Sequence, residues 1–397
     1  MKNAPIHILI VGGGLGGLCL AQGLKKSGIS VAVYERDRFA HFRGQGYRIG
    51  IKAAGALALR DCLPENLFNL CVATSIKAAT RMVFLDHQLN QSRVIPLSHD
   101  EPGVSGFGVN RLTLREILLA GLAGTVHFGK TFERFDQLAD GRVRAHFADG
   151  TTATGDLLVG ADGTSSAVRE LIAPDARIDS VGSLIYGRTL IGPDTLEWVP
   201  DVLVDTFNNL RGPAGVSAGV ATCRQLESNA AATATFAPDL RLTDSQDYLA
   251  WTVSRWSAQP PLPGDEFRNA ASPALHRLAR DLLAGWHPLL RRIVDEADVP
   301  ATFPVIIRSA QPVEPWQTAN VTLLGDAIHT MSPGRGEGAN IALRDAQLLC
   351  RKLVDAAASR VPLRQAKEAY EAEMLRYGFA AVADSLTKPF MRRLARS

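Results

Sequence analysis

The chain begins with blocks of apolar and polar residues that predict a strand, a helix and a second strand. The apolar, β-branched run at residues 6–11 has the composition of a buried parallel strand. A helix is predicted over residues 15–26, with Gly28 ending it, and residues 29–35 predict the second strand. This order of elements predicts an α/β domain built on a parallel sheet.

The apolar spacing also predicts short strands and helices for the rest of the first half of the chain. Helices are expected at residues 53–62 and 111–119, and strands at 81–85, 93–97, 125–128, 132–138, 142–147 and 156–160. The pairs Asp140-Gly141 and Asp149-Gly150 are typical of hairpin turns. Three of these strands are therefore expected to pair as consecutive hairpins.

The pattern changes between about residues 178 and 299 and then returns to that of the first domain. The middle region predicts strands at 183–191, 202–207 and 215–223, and helices near 243–256 and 274–284. All five tryptophans lie within residues 198–316, where they would either line a flat-ligand site or pack a core. After residue 303 we expect a strand at 320–326, a long helix at about 339–357 and a last amphipathic helix at about 364–386.

Composition is that of an ordinary globular protein and removes several functional classes. The 397 residues are 46% hydrophobic and 21% charged, and 43 basic against 40 acidic residues leave a net charge of +3, which gives no reason to invoke nucleic acid or an acidic membrane. The five cysteines are scattered without a C-x-x-C pair, which argues against a zinc site, any other metal centre or a disulfide framework. No apolar run reaches the length of about 18 residues needed to span a membrane, and the first strand starts too early for a signal peptide, so we predict a cytoplasmic protein.

A glycine-rich turn directly after the first predicted strand is the main candidate for ligand binding. Gly12, Gly14 and Gly17 have the G-x-G-x-x-G spacing, in which the first glycine permits a tight turn, the second admits a pyrophosphate and the third packs helix on strand. Leu15 and Gly16 start the helix, whose free N–H groups and positive dipole end would face that phosphate. A glycine-rich turn without a ligand is the alternative.

An acidic residue at the end of the second strand strengthens this interpretation. Glu35 follows the glycines by about twenty residues, the distance at which a carboxylate can bind the two hydroxyls of a ribose. The ribose would then carry no phosphate, which suits NAD or the adenosine half of FAD. Arg36 could instead accept a 2′-phosphate, and we give this less weight.

Two further glycine–aspartate motifs follow predicted parallel strands. Asp162 and Gly163 come after the strand at 156–160, and Gly325 and Asp326 end the strand at 320–326. A glycine-rich turn at residues 333–338 then opens the long helix. Because ligands of open α/β sheets bind at the carboxyl ends of strands, the three motifs could line one extended ligand.

With these motifs in this order, the sequence resembles the class A, single-component FAD-dependent aromatic hydroxylases, which include para-hydroxybenzoate hydroxylase and the tetracycline-inactivating monooxygenases. The family pattern Asp-Gly followed by Ser-x-Val-Arg matches residues 162–169, and Gly-Asp-Ala-x-His followed by Pro-x-x-Gly-Gln-Gly-x-Asn matches residues 325–340, with Glu337 where glutamine is usual. The resemblance covers nearly the whole chain.

The resemblance implies a Rossmann-like FAD-binding domain of the GR2 type, a mixed-sheet substrate domain and a C-terminal helix. We expect a discontinuous FAD-binding domain at residues 1–75, 108–177 and 300–360. Residues 76–107 and 178–299 would form the substrate domain, and 361–397 the C-terminal helix.

The resemblance also assigns roles to particular residues. Asp326 would bind the ribityl chain, and Arg111, which opens the mid-domain helix, would lie against the FAD. The loop with Arg43 and Gly46, two candidate catalytic positions, would border the flavin ring and move with it. Arg43 and Arg48 could contact flavin or substrate, or could be solvated arginines on a loop. The turn and helix start that would approach the flavin pyrimidine edge, and that include candidate catalytic positions, comprise Pro333, Gly334, Gly336, Gly338, Ala339 and Asn340.

The activity implied by the resemblance is hydroxylation of an aromatic or polyketide-like small molecule. NAD(P)H, visiting transiently, would reduce the FAD, and O2 would give a flavin C4a-hydroperoxide that transfers one oxygen atom. The alternatives are a Baeyer–Villiger or epoxidising monooxygenase, and an FAD protein that performs no oxygenation. We expect a monomer or homodimer, and His329 is expected to be structural rather than a base.

Overall fold

The structure, a computed structural model, describes residues 6–40, 46–97, 106–243, 246–255 and 264–387. Its strands are β1 His7–Val11, β2 Ser30–Glu35, β3 Arg48–Lys52, β4 Arg81–Asp86, β5 Gln91–Pro96, β6 Gly106–Asn110, β7 Val126–Phe128, β8 Phe132–Gln137, β9 Val143–Phe147, β10 Thr152–Gly155, β11 Leu157–Gly160, β12 Ile178–Leu190, β13 Thr206–Arg211, β14 Val216–Cys223, β15 Tyr248–Arg255, β16 Phe303–Ala310 and β17 Val321–Leu323.

The helices cover most of the remaining chain. They are α1 Leu15–Lys26, α2 Ala53–Cys62, α3 Glu65–Ala73, α4 Arg111–Leu119, α5 Ala167–Ile172, α6 Thr195–Trp198, α7 Asn229–Phe236, α8 Gly264–Asn269, α9 Ser272–Leu282, α10 Pro288–Asp295, α11 Asp326–His329, α12 Gly338–Ala357 and α13 Leu363–Thr387. Short 3₁₀ turns lie at Asp201–Leu203, Pro213–Gly215, Val299–Ala301 and Pro333–Arg335.

A five-stranded parallel sheet carries the glycine-rich turn. Its order is β17-β11-β1-β2-β7, and every neighbouring pair is parallel. The central strand β1 is buried on both faces, which explains its continuous apolar run. This order brings the carboxyl ends of β1, β11 and β17 to one edge, so the three predicted motifs lie together.

The hairpin predicted at Asp140-Gly141 is confirmed, and a hairpin also forms at Asp149-Gly150, but its second strand is β10 and not the predicted strand at 156–160, which is β11 of the parallel sheet. β8, β9 and β10 form a three-stranded antiparallel sheet, joined through Gly141 and Gly150. Both glycines adopt positive φ angles of 83° and 80°, which an Asp-Gly turn supplies without strain.

The middle region forms a seven-stranded sheet of order β16-β12-β15-β14-β13-β4-β5. One face, the packed face, is covered by α9 and α10 and buries Trp251, Ile185, Val220 and Leu210. The other face, the open face, carries side chains that are mostly half-buried, among them Tyr186, Phe207 and Phe303. Side chains alternate between the two faces along each strand, so the strand register determines which residues lie on the packed face and which lie on the open face.

Two sequence predictions in this sheet are wrong. The helix expected near residues 243–256 is the strand β15, which pairs with both β12 and β14. Its nearly unbroken apolar run suits a buried central strand as well as a buried helix, and only the pairing distinguishes them. The strand expected at 202–207 starts as a 3₁₀ turn, and β13 begins at Thr206.

The predicted domain boundary at residue 300 divides one sheet. β16, which we assigned to the last FAD-domain segment, pairs with β12 along eight residues of the seven-stranded sheet. By sheet membership the substrate-side sheet therefore extends to Ala310. The domain division itself stays a proposal.

Two long C-terminal helices complete the fold. α12 packs on α1 and α2, and α13 packs on α12. All five cysteines are buried free thiols. Within the described ranges, no helix has both the length and the apolarity needed to cross a bilayer.

Candidate cofactor cleft and active site

A cleft of about 390 Å³ opens at the carboxyl ends of β1 and β11. Two of the three predicted motifs, the first glycine turn and Asp162-Gly163, line it, whereas Gly325 and Asp326 do not. The lining residues that the sequence singled out are Gly12, Gly14, Glu35, Arg36, Arg111, Asp162 and Gly163.

The glycines of the first turn have three distinct surroundings. Gly12 has a φ of +110°, and a Cβ there would lie 2.3 Å from the carbonyl oxygen of Ala161. A Cβ on Gly17 would lie 2.3 Å from the carbonyl oxygen of Gly12, so this glycine permits close packing of helix on strand. A Cβ on Gly14 would meet nothing within 4 Å, so the open side of the turn is at this residue. Leu15 and Gly16 are buried in α1, away from the cleft lining, and a Cβ on Gly16 would press on Leu324.

Glu35 is buried at the end of β2 and holds the turn. Its Oε2 accepts a hydrogen bond from the backbone N–H of Gly13 at 2.6 Å, and Oε1 accepts one from Asp37 at 2.9 Å. Each carboxylate oxygen has a second lone pair, so Glu35 can bind ligand hydroxyls while it fixes the turn. Arg36 beside it is exposed and also lines the cleft.

Arg115 is a cleft residue that the sequence analysis missed. Its Nε donates to the carbonyl oxygen of Gly13 at 3.1 Å, and its guanidinium also donates to Ala40. The available indication was its place four residues after Arg111, on the same face of α4. Lys130, which also lines the cleft, gave no comparable indication.

Asp162 contributes a buried acceptor at the end of β11. Oδ2 accepts hydrogen bonds from the backbone N–H groups of Ala167 and Val168, at 2.8 and 3.3 Å. Oδ1 is buried, and among the described residues it has no hydrogen-bond partner. Burial raises the pKa of this carboxyl group, partly opposed by its hydrogen bonds, of which that from Ser166 is the largest contribution. An unpartnered buried acceptor beside a cleft fits a ligand that donates hydrogen bonds.

Asp326 follows Gly325 at the start of α11. Asp326 is exposed, although neighbouring protein atoms limit the solvation of its carboxylate. These surroundings raise the pKa of Asp326, and the nearby cationic groups of His329 and Arg111 partly oppose the shift. A Cβ on Gly338 would lie 3.8 Å from its Oδ1, so the start of α12 also approaches this carboxylate.

The turn before α12 presents bare backbone. Pro333, Gly334 and Gly336 are exposed, and Gly336 adopts the left-handed conformation with φ +63° and ψ +31°. A Cβ on Gly336 would meet nothing within 4 Å. These residues are not among those that line the cleft of the first turn.

Asn340 is buried and clamps β3 to the turn. Its Nδ2 donates to the carbonyl oxygens of Gly50 and Gly336, both at 2.8 Å, and its Oδ1 accepts from the backbone N–H of Lys52 at 2.7 Å. The Asn340 amide is therefore occupied by backbone groups. Half-buried Ala339 lies next to it.

The loop residues expected to contact flavin or substrate are only partly described. Arg43 lies outside the described residues. Gly46 is buried, and a Cβ there would approach Asn110 and Leu112 at 3.2 Å. The Arg48 guanidinium lies 4.2 Å from the ring centroid of Phe207 and donates to the sheet backbone, so it joins β3 to the open face.

Aromatic rings line the region where the open face meets the cleft. The rings of Tyr47, Tyr186 and Phe303 have centroid separations of 5.0–6.1 Å and are half-buried. The Arg111 guanidinium, part of the cleft lining, lies 5.6 Å from the Tyr47 ring centroid. Trp251 and Trp286 are buried in the packed face, so these tryptophans pack a core and the exposed aromatic wall consists of tyrosine and phenylalanine.

Comparison with known proteins identifies both a family and a fold for this chain. Residues 289–385 match the model of an FAD-binding domain, and residues 10–51 match that of an NAD(P)-binding Rossmann-like domain. A Photorhabdus luminescens protein described as an FAD-containing monooxygenase is 31% identical, and its crystal structure superposes with a TM-score of 0.81 over 96% of this chain and 97% of that one. The chain belongs to the class A FAD-dependent monooxygenases.

Other similar proteins are also FAD-dependent monooxygenases or share their fold. A dual O-methyltransferase/FAD-dependent monooxygenase of Phaeosphaeria nodorum, elcB, is 32% identical over 89% of this chain. The monooxygenase chain spans about two fifths of that relative's length, 41%. The HpxO protein of Klebsiella pneumoniae, solved with FAD and uric acid, is 21% identical with a TM-score of 0.74, covering all of this chain and 94% of that one, which shows the common fold.

The residues of the cleft fit FAD. The bare turn at Gly14 leaves room for a pyrophosphate, Glu35 can bind a ribose, and the buried Oδ1 of Asp162 offers an acceptor. Arg111 lines this cleft, and its charge opposes the rise in the pKa of Asp326, which by resemblance faces the ribityl chain.

Proposed function

We propose that this monooxygenase uses NAD(P)H and O2 to hydroxylate an aromatic or polyketide-like small molecule. The observation that carries the proposal is the position of Arg111. It lines the dinucleotide cleft and at the same time lies over Tyr47, the first ring of the aromatic wall. A cofactor in the cleft and a flat substrate on the open face would therefore meet at this residue.

Bound FAD would supply the redox chemistry, the transfer of electrons from NAD(P)H to O2 and of one oxygen atom to the substrate. The protein's own residues would bind and orient the cofactor and the substrate. The first turn and Glu35 would hold the adenosine half of FAD. The N-terminus of α12 would direct its positive dipole end toward a flavin bound next to Gly336 and Gly338. No protein side chain needs to act as nucleophile.

The open face supplies the substrate side. Tyr186 and Phe303 stack at a centroid separation of 5.0 Å, at an interplanar angle of 28°, and present ring faces that suit a planar ligand. Phe207 and Arg48 continue this surface toward the centre of the sheet. The HpxO structure, solved with FAD and uric acid on the same fold, supports a small, planar substrate.

The same scaffold would serve a Baeyer–Villiger or epoxidising reaction, and the product separates these alternatives. Hydroxylation of a ring carbon, ester formation and epoxide formation all add one oxygen atom, but nuclear magnetic resonance places it differently. A non-oxygenating FAD protein would add none.

The proposal is tested on the purified protein. FAD is expected in its visible spectrum or after reconstitution. NADH and NADPH consumption is then measured against a panel of phenols and polycyclic aromatics, with product mass and peroxide assays. Substrate-stimulated NAD(P)H consumption with a product heavier by one oxygen supports the proposal. NAD(P)H consumption that yields only peroxide across the panel contradicts it.

The moving loop, the oligomeric state and the cytoplasmic location stay predictions from the sequence. For the loop, Arg43→Ala is expected to slow flavin reduction more than it weakens FAD binding, because the loop arginines could hold either the flavin or the NAD(P)H phosphates. Stopped-flow reduction with and without substrate measures this.

A further inference from the structure

A buried hydrogen-bond cluster connects the C-terminal helix to the cofactor side of the sheet. Its centre is the carboxylate of Asp345 on α12, which is fully buried. The hydroxyl of Tyr377 donates to Oδ1 at 2.6 Å, and the backbone N–H of Gly325 donates to Oδ2 at 2.8 Å. The Nε2 of His329, also fully buried, lies 2.7 Å from Oδ2. Three elements thus converge on one carboxylate.

The C-terminal helix α13 packs directly against this cluster. A Cβ at Gly378 would lie 2.6 Å from Cδ2 of His329, so glycine is needed for the helix to approach the imidazole ring. The guanidinium of Arg344 lies 3.8 Å from the ring centroid of Tyr377 and holds that ring from the other side. Tyr377 and Gly378 are neighbours on α13, so one turn of this helix makes both contacts.

The cluster acts on the residue before Asp326. Gly325 has a φ of +66° and a ψ of −140°, a backbone conformation that favours glycine, and its N–H donates to Asp345. The backbone conformation at Gly325 sets the direction in which the exposed Asp326 side chain leaves the chain. A hydrogen bond to a charged group is stronger than one between neutral groups, so the buried carboxylate is a firm anchor for this turn.

We propose that Tyr377, Asp345 and His329 are positioning residues for the cofactor. They transmit the packing of α13 to the turn at Gly325 and so fix the carboxylate of Asp326 in the orientation that binds FAD. On this proposal the C-terminal helix is part of the cofactor site, although among its described residues none lines the cleft of the first turn. The proposal goes beyond the reaction proposed above, since it concerns cofactor binding and needs no substrate.

The test compares two buried tyrosines of the same helix. Tyr377→Phe removes the hydroxyl that binds Asp345, whereas the control, Tyr370→Phe, removes one that donates to the carbonyl oxygen of Leu323 at 2.9 Å. The apoprotein of each variant is titrated with FAD, and flavin fluorescence gives the dissociation constant. Tyr377→Phe is expected to weaken FAD binding about tenfold, and Tyr370→Phe less than about twofold, because only the first loses a bond to the charged anchor.

A purely structural role is separated by two further measurements. Thermal unfolding of the apoproteins is expected to show that both variants still unfold cooperatively, while the visible circular dichroism of bound flavin at saturating FAD changes only in Tyr377→Phe. Equal FAD affinities of the two variants, or wild-type affinity in Tyr377→Phe, would overturn the proposal. If Tyr377→Phe does not fold, Arg344→Met, which only loosens the Tyr377 ring, is expected to weaken FAD binding in the same direction, and unchanged binding there overturns the proposal instead.

Discussion

Nζ of Lys52 lies 2.5 Å from Oε1 of Glu337. Glu337 stands where the resembling family has glutamine, directly before the first residue of α12. The ion pair joins the end of β3 to the start of this helix, next to the Asn340 clamp. A carboxylate here would oppose negative charge on a reduced flavin, and Lys52 compensates it.

Loss of this compensation is expected to lower the reduction potential of bound FAD. Because the pair is partly exposed, Lys52→Met should lower the midpoint potential by only about 10–20 mV. The double variant Lys52→Met/Glu337→Gln should restore it, since both charges are then absent. Redox titration of the holoproteins measures this, and a double variant as low as the single one would show that the pair does not act on the flavin.

Gly14 is expected to be replaceable for folding but not for cofactor binding. Its Cβ position is open and its φ is −78°, so Gly14→Ala should unfold with a free energy within about 0.5 kcal/mol of wild type. The added methyl group would occupy the space of the pyrophosphate and weaken FAD binding by roughly tenfold or more. Gly192→Ala, on an exposed loop of the other sheet, is the control. FAD affinity that is equal in the two variants would exclude Gly14 as the phosphate contact.

At Gly336, backbone conformation and cofactor contact can be separated. Valine at φ +63° is strained by about 1–3 kcal/mol, whereas asparagine tolerates the left-handed region. Gly336→Val is therefore expected to lose both stability and flavin turnover. Gly336→Asn should keep stability and lose turnover if a ligand approaches this backbone. Normal turnover in Gly336→Asn would mean that only the conformation matters.

His329 predicts a pH dependence of stability. Burial disfavours its charged form, but the charge and hydrogen bond of Asp345, together with the charge of Asp326, outweigh burial and raise the pKa of the imidazole above its ordinary value. A pKa that is higher in the folded than in the unfolded state stabilises fully below the unfolded value of about 6.5. This stabilisation is lost as pH rises through the folded value. Urea unfolding at a series of pH values should show this loss in wild type and not in His329→Gln, and parallel curves would contradict it.

The aromatic wall predicts a change in substrate affinity. Phe303→Leu removes a half-buried ring from the open face, so KM for a bicyclic substrate should rise several-fold with little change in kcat. Ile306→Leu, which alters the packed face of the same strand, is the control. A drop in kcat at unchanged KM would place Phe303 outside the substrate site.

Local patterns predicted the parts of this protein that depend on neighbours in sequence. β1, the glycine turn and α1 follow from residues 6–26 alone, because a buried strand, a tight turn and a helix start each have their own local requirement. The two Asp-Gly hairpins and α12 are of the same kind. The cleft was predicted at the carboxyl ends of strands for the same reason.

The tertiary structure decided what depends on contacts between distant residues. The run at 248–255 is a strand because β12 and β14 lie on either side of it, which no local pattern records. Arg115 binds Gly13, which is about a hundred residues away in the sequence. Asp345 on α12 binds both Gly325, before α11, and Tyr377 on α13. Motif spacing alone predicted most of the residues that we expect to bind a dinucleotide, because that chemistry resides in short segments. Only tertiary packing decided that α13 contacts the turn at Gly325. The buried Asp345 carboxylate needs hydrogen-bond donors, and the fold determines which elements supply them.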